Sequence, residues 1–255
     1  MSTLETLSPL ENYAVRLGDD ALVLGHRLSE WTSNAPFLEE ELALANTALD
    51  FIGRARMFYT YAGQLREDGT SEDDYAYQRD CRQYTNLLIY ELPRGDFAFT
   101  MARQFMLDVF NLDFLKALSE SKDEALAAIA AKAIKESTYH LRRSSEWIMR
   151  LGQGTEESLE RLQHAVNELW GFTPELFAMD ELESNLLHEG IAVDRVAVHD
   201  GWQSQVSTLL RKAGVTIPDT SWQVEGGRQG IHTEHLGHLL SDMQFVQRAY
   251  PGLQW

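Results

Sequence analysis

Apolar residues recur three and four positions apart along almost the whole chain, the signature of helices that bury one face. After Ser8-Pro9, a capping and first-turn pair, the residues Leu10, Tyr13, Leu17, Ala21, Leu24, Leu28 and Trp31 mark a first helix. Pro36 opens a second, whose inner stripe is assigned to Leu38, Leu42, Ala45, Leu49 and Ile52, onward to Tyr61, before the polar run REDGTSEDD. The stretch YAYQRDCRQYTNLLIYELPRG fits one or two short helices and reads as a connection. Asp96 is placed to cap a third helix, with Phe97, Met101, Phe105, Val109, Leu112 and Leu115 inward. Ser121-Lys-Asp-Glu124 has the form of a capping box opening a fourth helix that runs to Leu151-Gly152.

Helices of roughly 24–30 residues are about 36–45 Å long. Tight links within each pair and a long crossover between helices two and three predict an all-α, ferritin-like four-helix bundle over residues 8–152. Residues 153–255 then carry shorter helices starting near Thr155, Thr173-Pro174 and Asp194. The glycine-rich loop VEGGRQG and a last helix through HTEHLGHLLSDMQFVQRAY, stopped by Pro251, complete the chain. With no repeat, low-complexity tract or Gly/Ser linker, residues 1–255 are expected to form a single ferritin-like domain with 153–255 as its helical extension.

Composition narrows the function classes. The chain is 44% hydrophobic, enough for a substantial core, and its 39 Asp+Glu against 22 Lys+Arg give a net charge of −17. Phosphate backbones and anionic leaflets are repelled by such a surface, so neither nucleic acid nor membrane is expected as a partner. The N-terminal stretch has no basic segment followed by an apolar run, which makes a cytoplasmic location the expectation. Cys81 is the only cysteine, so no internal disulfide and no multi-cysteine metal site is available.

The ferritin-like di-iron template places a Glu on each of two helices and a Glu-x-x-His pair on each of the other two. Polar residues interrupt the stripes at matching places. Asp20 lies between Leu17 and Leu24, Asn46 and Asp50 flank Leu49, Asp108 lies between Phe105 and Leu112, and Glu136 precedes His140 by one turn. Their chemistry departs from the template: no Glu-x-x-His occurs in these helices, Asp stands where Glu is needed, and Asn46 carries no charge. The set is therefore read as a vestigial network, with Lys132 or Lys135 supplying positive charge in place of iron. The alternatives are a metal site with ligands Asp20, Asp50, Asp108, Glu136 and His140, or residues that simply face solvent.

A second cluster, GRQGIHTEHLGHLL, holds His232, Glu234, His235 and His238. On a helix the three histidines fall within about 120° of arc, but their three-residue spacing differs from the i, i+4 pair of a helical zinc site. Thr233 reads as a helix start that leaves His232 outside, so the cluster is assigned to capping and to docking a partner, together with Trp255 of the apolar tail YPGLQW. Arg94, Arg142, Arg143 and Arg228 are candidates for the phosphates of a coenzyme A group.

The phrases YAVRLGDDALVLGHRLSEW, LALANTALDFIGRARMFYTYAG, AIAAKAIKESTYHLRRSSEWIMRLG and GIHTEHLGHLLSDMQFVQRAYPGLQW, in this order, resemble the PaaC-type subunit of the bacterial phenylacetyl-CoA ring epoxidase. That resemblance implies a non-catalytic structural subunit without a cofactor of its own. It also implies a related ferritin-like catalytic subunit that carries the di-iron site and binds the thioester. A reductase with NAD(P)H, FAD and iron–sulfur centres, and a small accessory subunit, would be indirect partners. Two alternatives remain beside it: a di-iron oxygenase with a non-standard ligand set, and a CoA-thioester binding module.

Overall fold

A computed structural model describes residues 7–219, 222–251 and 253. Among them are ten α-helices and no strand: α1 (Pro9–Ser29), α2 (Leu38–Arg66), α3 (Glu72–Tyr77), α4 (Leu88–Glu91), α5 (Phe97–Leu118), α6 (Glu124–Gly152), α7 (Glu156–Leu169), α8 (Glu181–His188), α9 (Arg195–Lys212) and α10 (Glu234–Ala249). The fold is all-α and ferritin-like, with two long helix hairpins, α1/α2 and α5/α6. The chain divides into two compact units, one made of 1–93 and 226–255, the other of 94–225. The division falls within the stretch expected to form the core bundle, and the last helix belongs to the same unit as the first.

In the first unit, Ser8 and Glu11 form a reciprocal cap on α1, Glu11 N–H donating to Ser8 Oγ at 3.3 Å and Ser8 N–H to Glu11 Oε2 at 3.1 Å. From Tyr13 to Leu24 every residue of α1 is buried, charged ones included. Gly18 permits the close approach of α2, since a Cβ there would lie 2.4 Å from the Tyr59 ring.

The inner face of α2 differs from the expectation. Leu44, Ala48, Phe51, Ala55, Phe58 and Ala62 are buried, whereas Leu38, Leu42 and Leu49 are 66%, 57% and 64% exposed. Helix α2 carries two apolar stripes, each with alternating four- and three-residue steps. The stripe that alternates small and aromatic side chains is the one that interlocks with neighbours. Asn46 is exposed along with the outer stripe, and Asp50 is half-buried.

In the second unit, α5 is buried on nearly all sides and packs against α6, α7 and α9. Asp96 caps it as expected, its Oδ1 accepting from Phe99 N–H at 2.8 Å. Trp202 of α9 donates its indole N–H to the Met106 carbonyl at 2.8 Å. Helix α6 is capped by Asp123 through Leu126 N–H, in place of the expected Ser121 box. Ser121 instead donates to the Ile191 carbonyl at 2.8 Å. Thr155 and Asp194 start α7 and α9 as expected, but Thr173-Pro174 lies in a 3-10 turn, and α8 starts after Asp180.

Candidate functional site

Three carboxylates buried in the first unit collect the polar groups of α1, α4, the link after α3 and the segment leading into α10. Asp19 accepts from Tyr59 Oη at 2.6 Å, from Thr85 N–H and Oγ1 at 2.8 and 2.9 Å, and from the Arg79 guanidinium, with which it forms an ion pair. Burial, followed by the Asp19 charge, holds the Tyr59 hydroxyl well above the ordinary tyrosine range. Asp20 accepts from Leu87 N–H at 2.8 Å and takes a two-pronged ion pair from Arg228, at 3.1 Å from Nη1 and 2.8 Å from Nη2. A counter-charge of Asp20 is thus an arginine of the glycine-rich loop; Lys132 and Lys135 are exposed on α6.

Glu91, at the end of α4, is the third carboxylate. Its oxygens accept from Asn86 Nδ2 at 2.8 Å, from His232 Nδ1 at 2.7 Å, and from the N–H and Oγ1 of Thr233 at 2.6 and 2.8 Å. His232 Nε2 faces the Tyr84 carbonyl at 2.8 Å. Arg27 of α1 donates to the Glu91 carbonyl at 2.9 Å and to the His235 carbonyl at 2.8 Å. The loop reaches this position because Gly227 passes against the chain at Asn86, where a Cβ would lie 2.1 Å from the carbonyl oxygen.

The histidine cluster is therefore split by depth. Thr233 does precede α10, leaving His232 outside the helix, but its side chain serves Glu91 and makes no cap hydrogen bond. His232 is inside, His235 is half-buried, and Glu234 and His238 are exposed. Trp255 lies outside the described residues.

In the second unit, Asp108 accepts from Gln104 Nε2 and Ser144 Oγ, both at 2.7 Å. His140 is buried on α6 and Glu136 is half-buried. Among the described residues, no group of three His, Cys, Asp or Glu side chains is arranged to hold a metal ion. In their own units, the Asp20 oxygens accept from Arg228 and the Leu87 N–H, those of Asp108 accept from Gln104 and Ser144, and Asn46 is exposed. Of the arginines considered for coenzyme A phosphates, Arg228 is committed to Asp20, and Arg142 pairs with Glu146 on the surface of α6.

A family model described as phenylacetic acid catabolic protein, PaaA_PaaC, matches residues 2–255. The chain belongs to this family. It is 48% identical over 249 residues to the C subunit of 1,2-phenylacetyl-CoA epoxidase from Escherichia coli (strain K12), covering 98% of this chain and 100% of the relative. Two of the stretches that carry the resemblance to the phenylacetic acid catabolic family contribute to the network: RLGDDALVLGHRL supplies Asp19, Asp20 and Arg27, and GIHTEHLG supplies His232 and Thr233. Sequence reasoning missed Asp19, Arg79 and Glu91. One signal was present, since Glu91 stands alone in the apolar run NLLIYELP, where a carboxylate needs a dedicated partner.

Proposed function

We propose that this chain is a non-catalytic, structural subunit of a multicomponent di-iron phenylacetyl-CoA epoxidase acting in aerobic, cytoplasmic phenylacetate breakdown. The catalytic ferritin-like subunit is its direct partner and holds the di-iron centre. The reductase, with NAD(P)H, FAD and iron–sulfur centres, and the small accessory subunit work with it indirectly. The observation that carries this reading is the two-pronged Arg228–Asp20 pair, in which a cation of the chain itself occupies a carboxylate that the di-iron template would give to metal.

The outer stripe of α2 supports the docking part of the reading. Leu38, Leu42 and Leu49 stand exposed at heptad-like spacing, a form suited to a helix of another chain. On α10, Phe245 and Val246 are exposed beyond Glu234 and His238, and this end of the chain is assigned to the same interface.

The test is co-expression with the catalytic subunit, followed by size-exclusion and metal analysis of the complex and of this chain alone. The chain alone is expected to fold without iron and the complex to contain it. A pair of irons bound to the isolated chain and lost in Asp108→Ala would overturn the reading in favour of an oxygenase. Binding of phenylacetyl-CoA by the isolated chain, measured by calorimetry, would turn it toward a thioester-binding module.

A further inference from the structure

We propose that His232 is a doubly protonated latch that fastens the start of α10 to its unit, and that loss of one imidazole proton loosens this helix.

Against an ionised Glu91 the geometry calls for two protons. His232 Nδ1 lies 2.7 Å from a Glu91 carboxylate oxygen and Nε2 lies 2.8 Å from the Tyr84 carbonyl oxygen, and neither a carboxylate anion nor a carbonyl has a proton to give. A neutral imidazole has one N–H and one lone pair. Whichever nitrogen gave up its proton would set that lone pair against an oxygen at hydrogen-bond distance. The His232 side chain is 2% exposed and that of Glu91 0%, so water has little room to relieve the clash.

The groups around the imidazole favour its charge. Glu91 faces it from α4, and Asp19 adds negative potential from α1, although Arg79 neutralises that carboxylate directly. The Cys81 thiol lies in the same field; burial and then the Glu91 charge push it upward, so it stays a neutral neighbour. Arg27 is the opposing cation, donating to the main-chain carbonyls of Glu91 and His235. Burial alone works against protonation of His232, yet the Glu91 hydrogen bond and charge, the Tyr84 carbonyl and Asp19 outweigh it and raise its pKa above the ordinary value of 6.5.

The latch acts on α10 through the chain itself. His232 adjoins Thr233, the residue before the helix, and Thr233 spends both its N–H and its hydroxyl on the same carboxylate. Further along, Gln244 Nε2 holds the helix to the Ala76 and Arg79 carbonyls, each at 3.0 Å. The N-terminal half of α10 therefore depends on Glu91, and the exposed apolar residues Phe245 and Val246 are presented by a helix whose footing is protonation-dependent.

A group whose pKa is raised by folding contributes fully below its unfolded value and loses that contribution as pH rises through the folded one. Nitrogen-15 NMR of the imidazoles in the full chain, with hydrogen exchange of residues 232–244 corrected for intrinsic rates, tests the latch from pH 5.5 to 9. Both His232 nitrogens are expected to carry protons at pH 7. The opening constant of the segment is expected to rise by up to about tenfold per pH unit between about 6.5 and the folded value. His232→Gln should remove this dependence, and His238→Gln, at an exposed position, should leave it in place. A neutral single tautomer of His232 at pH 7, or opening in the unmodified protein that does not change with pH, would overturn the latch. If His232→Gln fails to fold, these two measurements on the unmodified protein decide the matter.

Discussion

Asp20 and Arg228 lie 208 positions apart in the chain and meet through two hydrogen bonds on buried side chains. Removing one member of such a pair strands the other charge, which costs more than the pair itself contributes. Asp20→Asn is expected to lower unfolding free energy by about 3–5 kcal/mol in urea titrations, and Asp20→Asn with Arg228→Met to recover part of the loss. Gly227→Ala is a purely steric counterpart. Its Cβ would meet the Asn86 carbonyl at 2.1 Å, so the loop must shift, with an expected loss of about 1–3 kcal/mol in the same titration. At this scale, Asp20 and Asp108 were legible because each interrupts an apolar stripe. Asp19 and the arginine partners were not. Helix α1 buries every face from Tyr13 to Leu24, so its periodicity gives no inside–outside contrast there, and nothing in sequence spacing pairs position 20 with position 228.

Helix α2 is where the pattern misled. A stripe at four- and three-residue steps identifies a helix face that wants apolar company, but not whether that company lies in the same chain. The two stripes make opposite predictions. Phe51→Ala, on the buried face, should cost about 3–5 kcal/mol of stability. Leu42→Glu and Leu49→Glu, on the exposed face, should each change it by no more than about 0.5 kcal/mol and yet abolish co-purification with the catalytic subunit. Retained co-purification of both variants would remove α2 from the interface. Helix boundaries, by contrast, were legible wherever a capping side chain does its usual work, as at Ser8, Asp96, Thr155 and Asp194. The start of α6 was misplaced because Ser121 offers the right side chain at the wrong position, its hydroxyl being drawn to Ile191.

For the whole molecule, helical class and order follow from periodicity, while the grouping of helices into units does not, because it rests on side-chain partners far apart in sequence. Residues 226–255 complete the unit that begins at the N-terminus. A chain ending at 225 lacks Arg228, His232 and Thr233, leaving three donor sets missing from Asp20 and Glu91. Such a truncation is expected to raise amide exchange across α1, α2 and α4 by several orders of magnitude while α5 and α9 keep most of their protection. Equal loss in both units would show that they do not unfold separately.

This closure also orders events on the ribosome. Residues 94–225 form a contiguous unit, whereas the unit that holds α1 and α2 is completed only by residues 226–255. At about 5–20 residues per second, the wait from residue 93 to residue 226 lasts roughly 7–27 s. Through that interval the carboxylates of Asp20 and Glu91 lack their Arg228, His232 and Thr233 partners, so the unit of α1 and α2 is expected to gain its full stability after residues 94–225 have been made.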